Sequence, residues 1–134
     1  MKRYVSVFLV FVLFMAGVPL LGQKADQCIV WTSGDREVAE KMVLMYAYYS
    51  QKQNWINRSR MIVWGPSQKL LTEDRELQDK IKKIKEAGVE LYACKACADL
   101  YGLADKLSAM GIKVMYTGKF LADMLAGDWK VLTF

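Results

Sequence analysis

The 134-residue chain contains no histidine. That removes Ser-His-Asp and Cys-His catalysis, imidazole metal sites and any imidazole base near neutral pH. Cysteine occurs three times, one short of a four-thiolate zinc site, and no second ligand pair accompanies the two cysteines that lie close in sequence. Neither a metal nor a cofactor is implied. Proline occurs twice, and no Pro-rich linker, low-complexity tract or internal repeat divides the chain, so nothing marks a boundary between folded units. Excess charge is also missing. The formal net charge is +5, falling to about +3 without Lys2 and Arg3, which is ordinary for a small domain and does not indicate nucleic acid as a partner. The one basic cluster, DKIKKIKE at 79–86, runs through a helical recurrence of Leu77, Ile81 and Ile84, so its lysines form the wet side of an amphipathic helix.

What is present begins with the leader. Two cations, an uncharged run from Tyr4 to Gly22 and then polar residues follow the order of a secretory signal. Cleavage after Gly22 is expected, leaving 23–134 as a single exported, periplasmic domain. The alternative is a membrane anchor over residues 4–22, since about 18 apolar residues just span a bilayer. A membrane is a partner only in that case. Cys28 stands too far beyond Gly22 for a lipid-attachment site. The remaining composition, 54% hydrophobic and 25% charged over the whole chain, suits a globular core.

From Cys28 onward, short apolar runs alternate with helix-period segments. CIVWTSG (28–34) predicts a buried strand and a turn, with Asp35 as N-cap of a helix whose face carries Val38, Met42, Met45, Tyr46 and Tyr49. MIVWGPS (61–67) predicts a strand stopped by Gly-Pro. The Leu77 helix has acids in its first part and lysines in its last, and Gly88 closes it. VELYAC (89–94) is a third strand, and Ala96 to Met110 a helix bearing Leu100, Leu103, Ala104 and Leu107. IKVMYTG (112–118) is a fourth strand, Phe120 to Leu125 a short helix and WKVLTF (129–134) a last strand. The pattern predicts an α/β domain with a mainly parallel five-stranded sheet covered on both faces.

Reactive groups of such sheets gather at the carboxyl ends of the strands. The tip of the third strand carries Cys94-Lys95-Ala96-Cys97. A thiol at a helix start meets unpaired backbone N–H groups and the positive end of the dipole, and Lys95 adds a cation beside it. Cys94 and Cys97 are therefore the candidate catalytic residues, with Lys95 auxiliary. Residues three apart across such a turn can also approach disulfide geometry, while packing of two small apolar residues is the plainer alternative. Packing is the expectation for Cys28, which opens a buried strand. Ser33, Trp64, Ser67 and Tyr116, at the other tips, are candidate pocket residues. TSGDREV reads as a capped turn rather than an anion cradle, because it has none of the further glycines of a dinucleotide fingerprint. Asn57-Arg58-Ser59 matches a glycosylation sequon expected to be idle behind a bacterial-looking leader. The aromatic residues, Trp31, Trp64, Tyr92, Tyr101, Tyr116 and Trp129 among them, are numerous enough for a subunit interface as well as a core.

The run VELYACKACADLYGL followed by LSAMGIKVMYTG, with WGPSQKLL before it and WKVLTF at the end, resembles the DsrE/DsrF-like proteins of the sulfur-relay superfamily. The resemblance implies a three-layer α/β/α sandwich, assembly as a homotrimer or homohexamer, and a cysteine at the third strand's tip, matching Cys94, that accepts sulfur as a persulfide in relaying members. Two features depart from that pattern: Cys97 is additional, and the leader directs the chain away from cytoplasmic relays. The expected function is sulfur or thiol handling through Cys94, as a persulfide carrier or by dithiol/disulfide exchange with Cys97. The partner is then a sulfur donor or acceptor protein or a small thiol. A non-enzymatic oligomeric module, binding a small ligand or a protein through the strand tips, is the alternative.

Overall fold

QCIVW is buried at all five positions, as a strand must be when sheet neighbours flank it and helices cover it. In the computed structural model, which describes residues 22–134, this segment is β1 (Gln27–Trp31), the second-from-edge strand of a five-stranded sheet. The others are β2 (Ser59–Val63), β3 (Glu90–Cys94), β4 (Lys113–Met115) and β5 (Lys130–Thr133), in the order β4-β3-β2-β1-β5. Every pairing is parallel. The expected leader, cleaved or anchoring, lies outside the described residues.

The helices are α1 (Arg36–Val38), a π-helical stretch Ala39–Leu44 leading into α2 (Met45–Lys52), α3 (Pro66–Glu73), α4 (Arg75–Glu86), α5 (Lys95–Tyr101), α6 (Ala104–Ala109) and α7 (Thr117–Ala126). One sheet face, with Ile29, Trp31, Met61, Val63, Leu91 and Ala93, packs into a large core closed by α2, α3, α4 and α6. The other face, with Cys28, Val30 and Ile62, is covered by α7 through Phe120, Leu121 and Met124. At the lower end of that face the Arg60 guanidinium lies 5.0 Å from the Phe120 ring and 4.2 Å from that of Trp129.

Local chemistry accounts for the boundaries. Asp35 caps α1 by accepting from the Val38 N–H at 2.9 Å, and Asp74 caps α4 by accepting from Leu77 N–H at 3.1 Å. Leu77, Ile81 and Ile84 are buried on α4 as their spacing predicts. Gly65 holds φ 67° and ψ −131°, a backbone state reserved for glycine, and delivers Pro66 as the first residue of α3. Gly-Pro therefore starts a helix as well as ending a strand, and α3 is an element that the sequence pattern does not predict.

Three expectations need correction. The stripe Met42, Met45 and Tyr49 does not face the core: these residues are 53%, 47% and 47% exposed. The π-helical start buries Ala39, Val43, Leu44, Ala47 and Ser50 instead, with the first four packed in the large core. Residues 96–110 form two helices, since Gly102 adopts the left-handed conformation and Leu103 N–H bonds back to the Ala98 carbonyl at 2.8 Å. Leu100 is consequently 80% exposed. Finally, β4 ends at Met115 and α7 begins at Thr117, earlier than the expected Phe120, which brings Thr117 to the strand tips.

Candidate functional site

Cys94 is the last residue of β3 and the N-cap of α5, with extended backbone (φ −68°, ψ 114°). Strand β3 lies between β2 and β4, with Ala93 opposite Val63 and Cys94 opposite Met115. Its tip is thus flanked by Trp64-Gly65 on one side and Tyr116-Thr117 on the other. Gln68, fully buried on α3, donates from Nε2 to the carbonyls of Val63 and Cys94, both at 3.0 Å. One amide therefore ties the ends of β2 and β3 together and fixes the backbone that carries the thiol.

Cys94 is only 5% exposed, and burial pushes its thiol up. Four donors outweigh that: the Thr117 hydroxyl, the Cys97 backbone N–H, the Cys97 thiol and the Ala96 N–H, leaving Cys94 below the ordinary cysteine range. Cys97 moves the other way. Burial and the neighbouring Cys94 charge raise it, against hydrogen bonds from Gly65 N–H and the Trp64 indole. The two free thiols are thus unequal: Cys94 ionises first and Cys97 keeps its proton, as a nucleophile beside a reserve thiol would. Cys28 is fully buried at the foot of the sheet, and burial, partly offset by Arg60, pushes its thiol up to about 11. It behaves as a packed apolar residue.

The other candidates separate. Lys95 is ion-paired with Asp99, which raises its pKa, and its ammonium lies 5.7 Å from the Tyr116 ring centroid. Trp64 contacts Cys97 and belongs to the site. Tyr116 is 67% exposed at its rim. Ser67 is fully buried and structural: its hydroxyl donates to the Trp31 carbonyl at 2.6 Å and accepts from Trp64 N–H at 3.1 Å. Ser33 uses its hydroxyl to accept from Asp35 N–H at 3.0 Å, shaping the turn before α1. Of the four candidate pocket residues, Ser67 is thus closed into the core and Ser33 serves a turn, while Trp64 lies beside Cys97 and Tyr116 at the rim. Thr117, Gln68 and Gly65 join the site without having been singled out by sequence. Thr117 had a signal in its place beside the end of β4, whereas Gln68 gave none because helix α3 was not foreseen.

A separate apolar groove of about 440 Å³ runs between α2 and the sheet edge, lined by Met42, Met45, Tyr46, Tyr49, Trp55, Leu132 and Phe134. No helix among the described residues is long and apolar enough to cross a membrane.

The pattern of the DsrE/DsrF-like family matches residues 55–134, which contain β2 to β5 and the whole cysteine site. No curated protein matches the chain significantly. Among solved structures, a conserved protein of unknown function from Bacteroides thetaiotaomicron is similar, with 30% identity and a TM-score of 0.79 over 81% of this chain and 94% of that one. The all-parallel five-stranded sheet with flanking helices agrees with both matches. The chain belongs to the DsrE/DsrF-like family.

Proposed function

We propose that the protein is an exported sulfur- or thiol-handling protein in which Cys94 is the nucleophile and Cys97 the resolving thiol. The observation that carries this reading is the placement of the two free thiols, Cys94 as the last residue of β3 and N-cap of α5 and Cys97 three residues on in the first turn of that helix. The environment of Cys94 lowers its pKa and that of Cys97 raises it, which agrees with this assignment. The Cys94 thiolate attacks the outer sulfur of a persulfide on a small thiol or donor protein, the donor's thiolate leaves, and the sulfur stays on Cys94. The Cys97 thiolate then attacks the inner sulfur, forming a Cys94–Cys97 disulfide and releasing hydrosulfide, with the sulfane sulfur reduced as the two thiols are oxidised. Two equivalents of an external thiol reset the pair by exchange through a mixed disulfide and leave as their own disulfide. Alternatively an acceptor thiol collects the sulfur directly, as in a relay. The export part of this reading rests on the order of cations, apolar run and polar residues in the first 22 positions of the sequence.

With the resolving thiol removed by Cys97→Ser, a persulfide-trapping probe, applied after exposure to a low-molecular-weight persulfide, is expected to label Cys94 and to lose that label when Cys94→Ala is added. Equal labelling of both proteins would sink the proposal.

A second reading, an oligomeric binding module, is favoured by one observation, the uncovered groove that holds Met42, Met45, Tyr49 and Leu132. On this reading the protein is a homotrimer or homohexamer. Sedimentation at the mass of three or six chains supports it, and sedimentation as a monomer removes it.

A further inference from the structure

Thr117 is placed by the sheet register. It lies two residues past Met115, whose Cα pairs with Cys94 across the β3–β4 ladder, and it opens the ten-residue helix α7. Its side chain is fully buried, and Oγ1 has no satisfying hydrogen-bond partner among the described residues. An unpaired buried hydroxyl costs stability. The register sets the hydroxyl beside the Cys94 tip, close enough for the sulfur to be its nearest acceptor, yet no hydrogen bond joins the two.

A thiol sulfur is a weak acceptor, so this contact hardly satisfies the hydroxyl while Cys94 is protonated. A thiolate is a charged acceptor, and the same contact becomes a strong one when Cys94 ionises. The unmet donor is relieved only in the reactive state.

The geometry points to Thr117 as a positioning residue of the Cys94 site, its buried hydroxyl aimed at Sγ so as to hold the ionised sulfur at the tip of β3. This role rests on the reading that Cys94 is the reacting group. Cys97 is the titratable group that meets Cys94, and the elements packed about it also carry the Lys95–Asp99 pair and Tyr101 on α5, Tyr116 before α7, and Lys69 of α3, which lies over the Tyr101 ring. Of these Cys97 titrates together with Cys94, so the test is made in a Cys97→Ser background.

The rate of Cys94 alkylation by iodoacetamide is followed against pH by mass spectrometry, with and without Thr117→Val and Thr117→Ser. Val keeps the shape and removes the donor. The midpoint should rise by about one pH unit in Thr117→Val, a roughly tenfold smaller thiolate fraction below the midpoint, and Thr117→Ser should restore it. A purely structural hydroxyl gives the opposite pattern, because replacing an unpaired buried hydroxyl by a methyl leaves the profile unmoved and raises thermal stability. Overlaying Val and wild-type profiles, or failure of Ser to restore the midpoint, overturns the role. If Thr117→Val does not fold, Thr117→Ala carries the same comparison against Thr117→Ser.

Persulfide trapping in the same Cys97→Ser background separates the two levels. A shifted midpoint without any persulfide keeps Thr117 as the group that holds the thiolate and removes sulfur carriage. A persulfide with an unshifted midpoint does the reverse.

Discussion

At the scale of single residues, the site depends on side chains that sequence inspection passes over. Gln68 is the clearest. Its Nε2 is shared between two strand-end carbonyls in a fully buried position, so removing it leaves acceptors that water cannot reach. Gln68→Leu is expected to lower unfolding free energy by about 1–2 kcal/mol, the cost of stranded buried acceptors less the relief of its own unpaired Oε1. Urea unfolding of the variant checks this; an unchanged midpoint would mean that the clamp contributes nothing. The cysteines themselves were legible, because C-x-x-C at a strand end is a local pattern. Their inequality was not, since it comes from Gly65, Trp64 and Thr117, residues that only the sheet brings to them.

At the scale of elements, two glycines decide where helices begin and end. Neither Gly65 nor Gly102 has a heavy atom within 4 Å of where a Cβ would stand, so an alanine meets no crowding and its cost is backbone strain alone. Gly102 lies in the left-handed region, at φ 67° and ψ 32°, where alanine costs about 1 kcal/mol. Gly65, at φ 67° and ψ −131°, is in a region closed to other residues, and about 3 kcal/mol is expected for alanine there. Thermal unfolding of Gly65→Ala and Gly102→Ala should therefore rank them in that order, and equal losses would refute the strain account. The buried stripe and the closing Gly88 of helix α4 were readable from their spacing, but its start was not, since Glu73, expected within it, ends α3 and Asp74 is its N-cap. The segment at 36–52 was not readable, because it carries two apolar stripes at helical spacing, and which of them meets the sheet is decided by the π-helical turn and by packing rather than by the period.

At the scale of the whole molecule, that rejected stripe has a consequence. Met42, Met45 and Tyr49 stand beside Leu132 of the edge strand β5 and Phe134, leaving an apolar groove open. Single exposed apolar residues are ordinary, but a contiguous group at a sheet edge marks a contact surface. If the protein assembles as a trimer or hexamer through this groove, Leu132→Lys should shift sedimentation toward the monomer while leaving far-ultraviolet circular dichroism intact. Unchanged assembly in that variant would place the interface elsewhere.

The sequence by itself determined the fold class, the parallel sheet, the capped Leu77 helix and the position of Cys94 at a strand tip. Each of these rests on a period, a cap or a spacing contained within one segment. Only the tertiary structure decided which face of the first helical segment is buried, where the helix after Cys94 breaks, that Ser67 is a buried clamp, and that Thr117 stands buried beside the tip of β3. Those outcomes depend on strand register and on competition between surfaces for the same sheet, quantities that link residues far apart in the chain and leave no local mark.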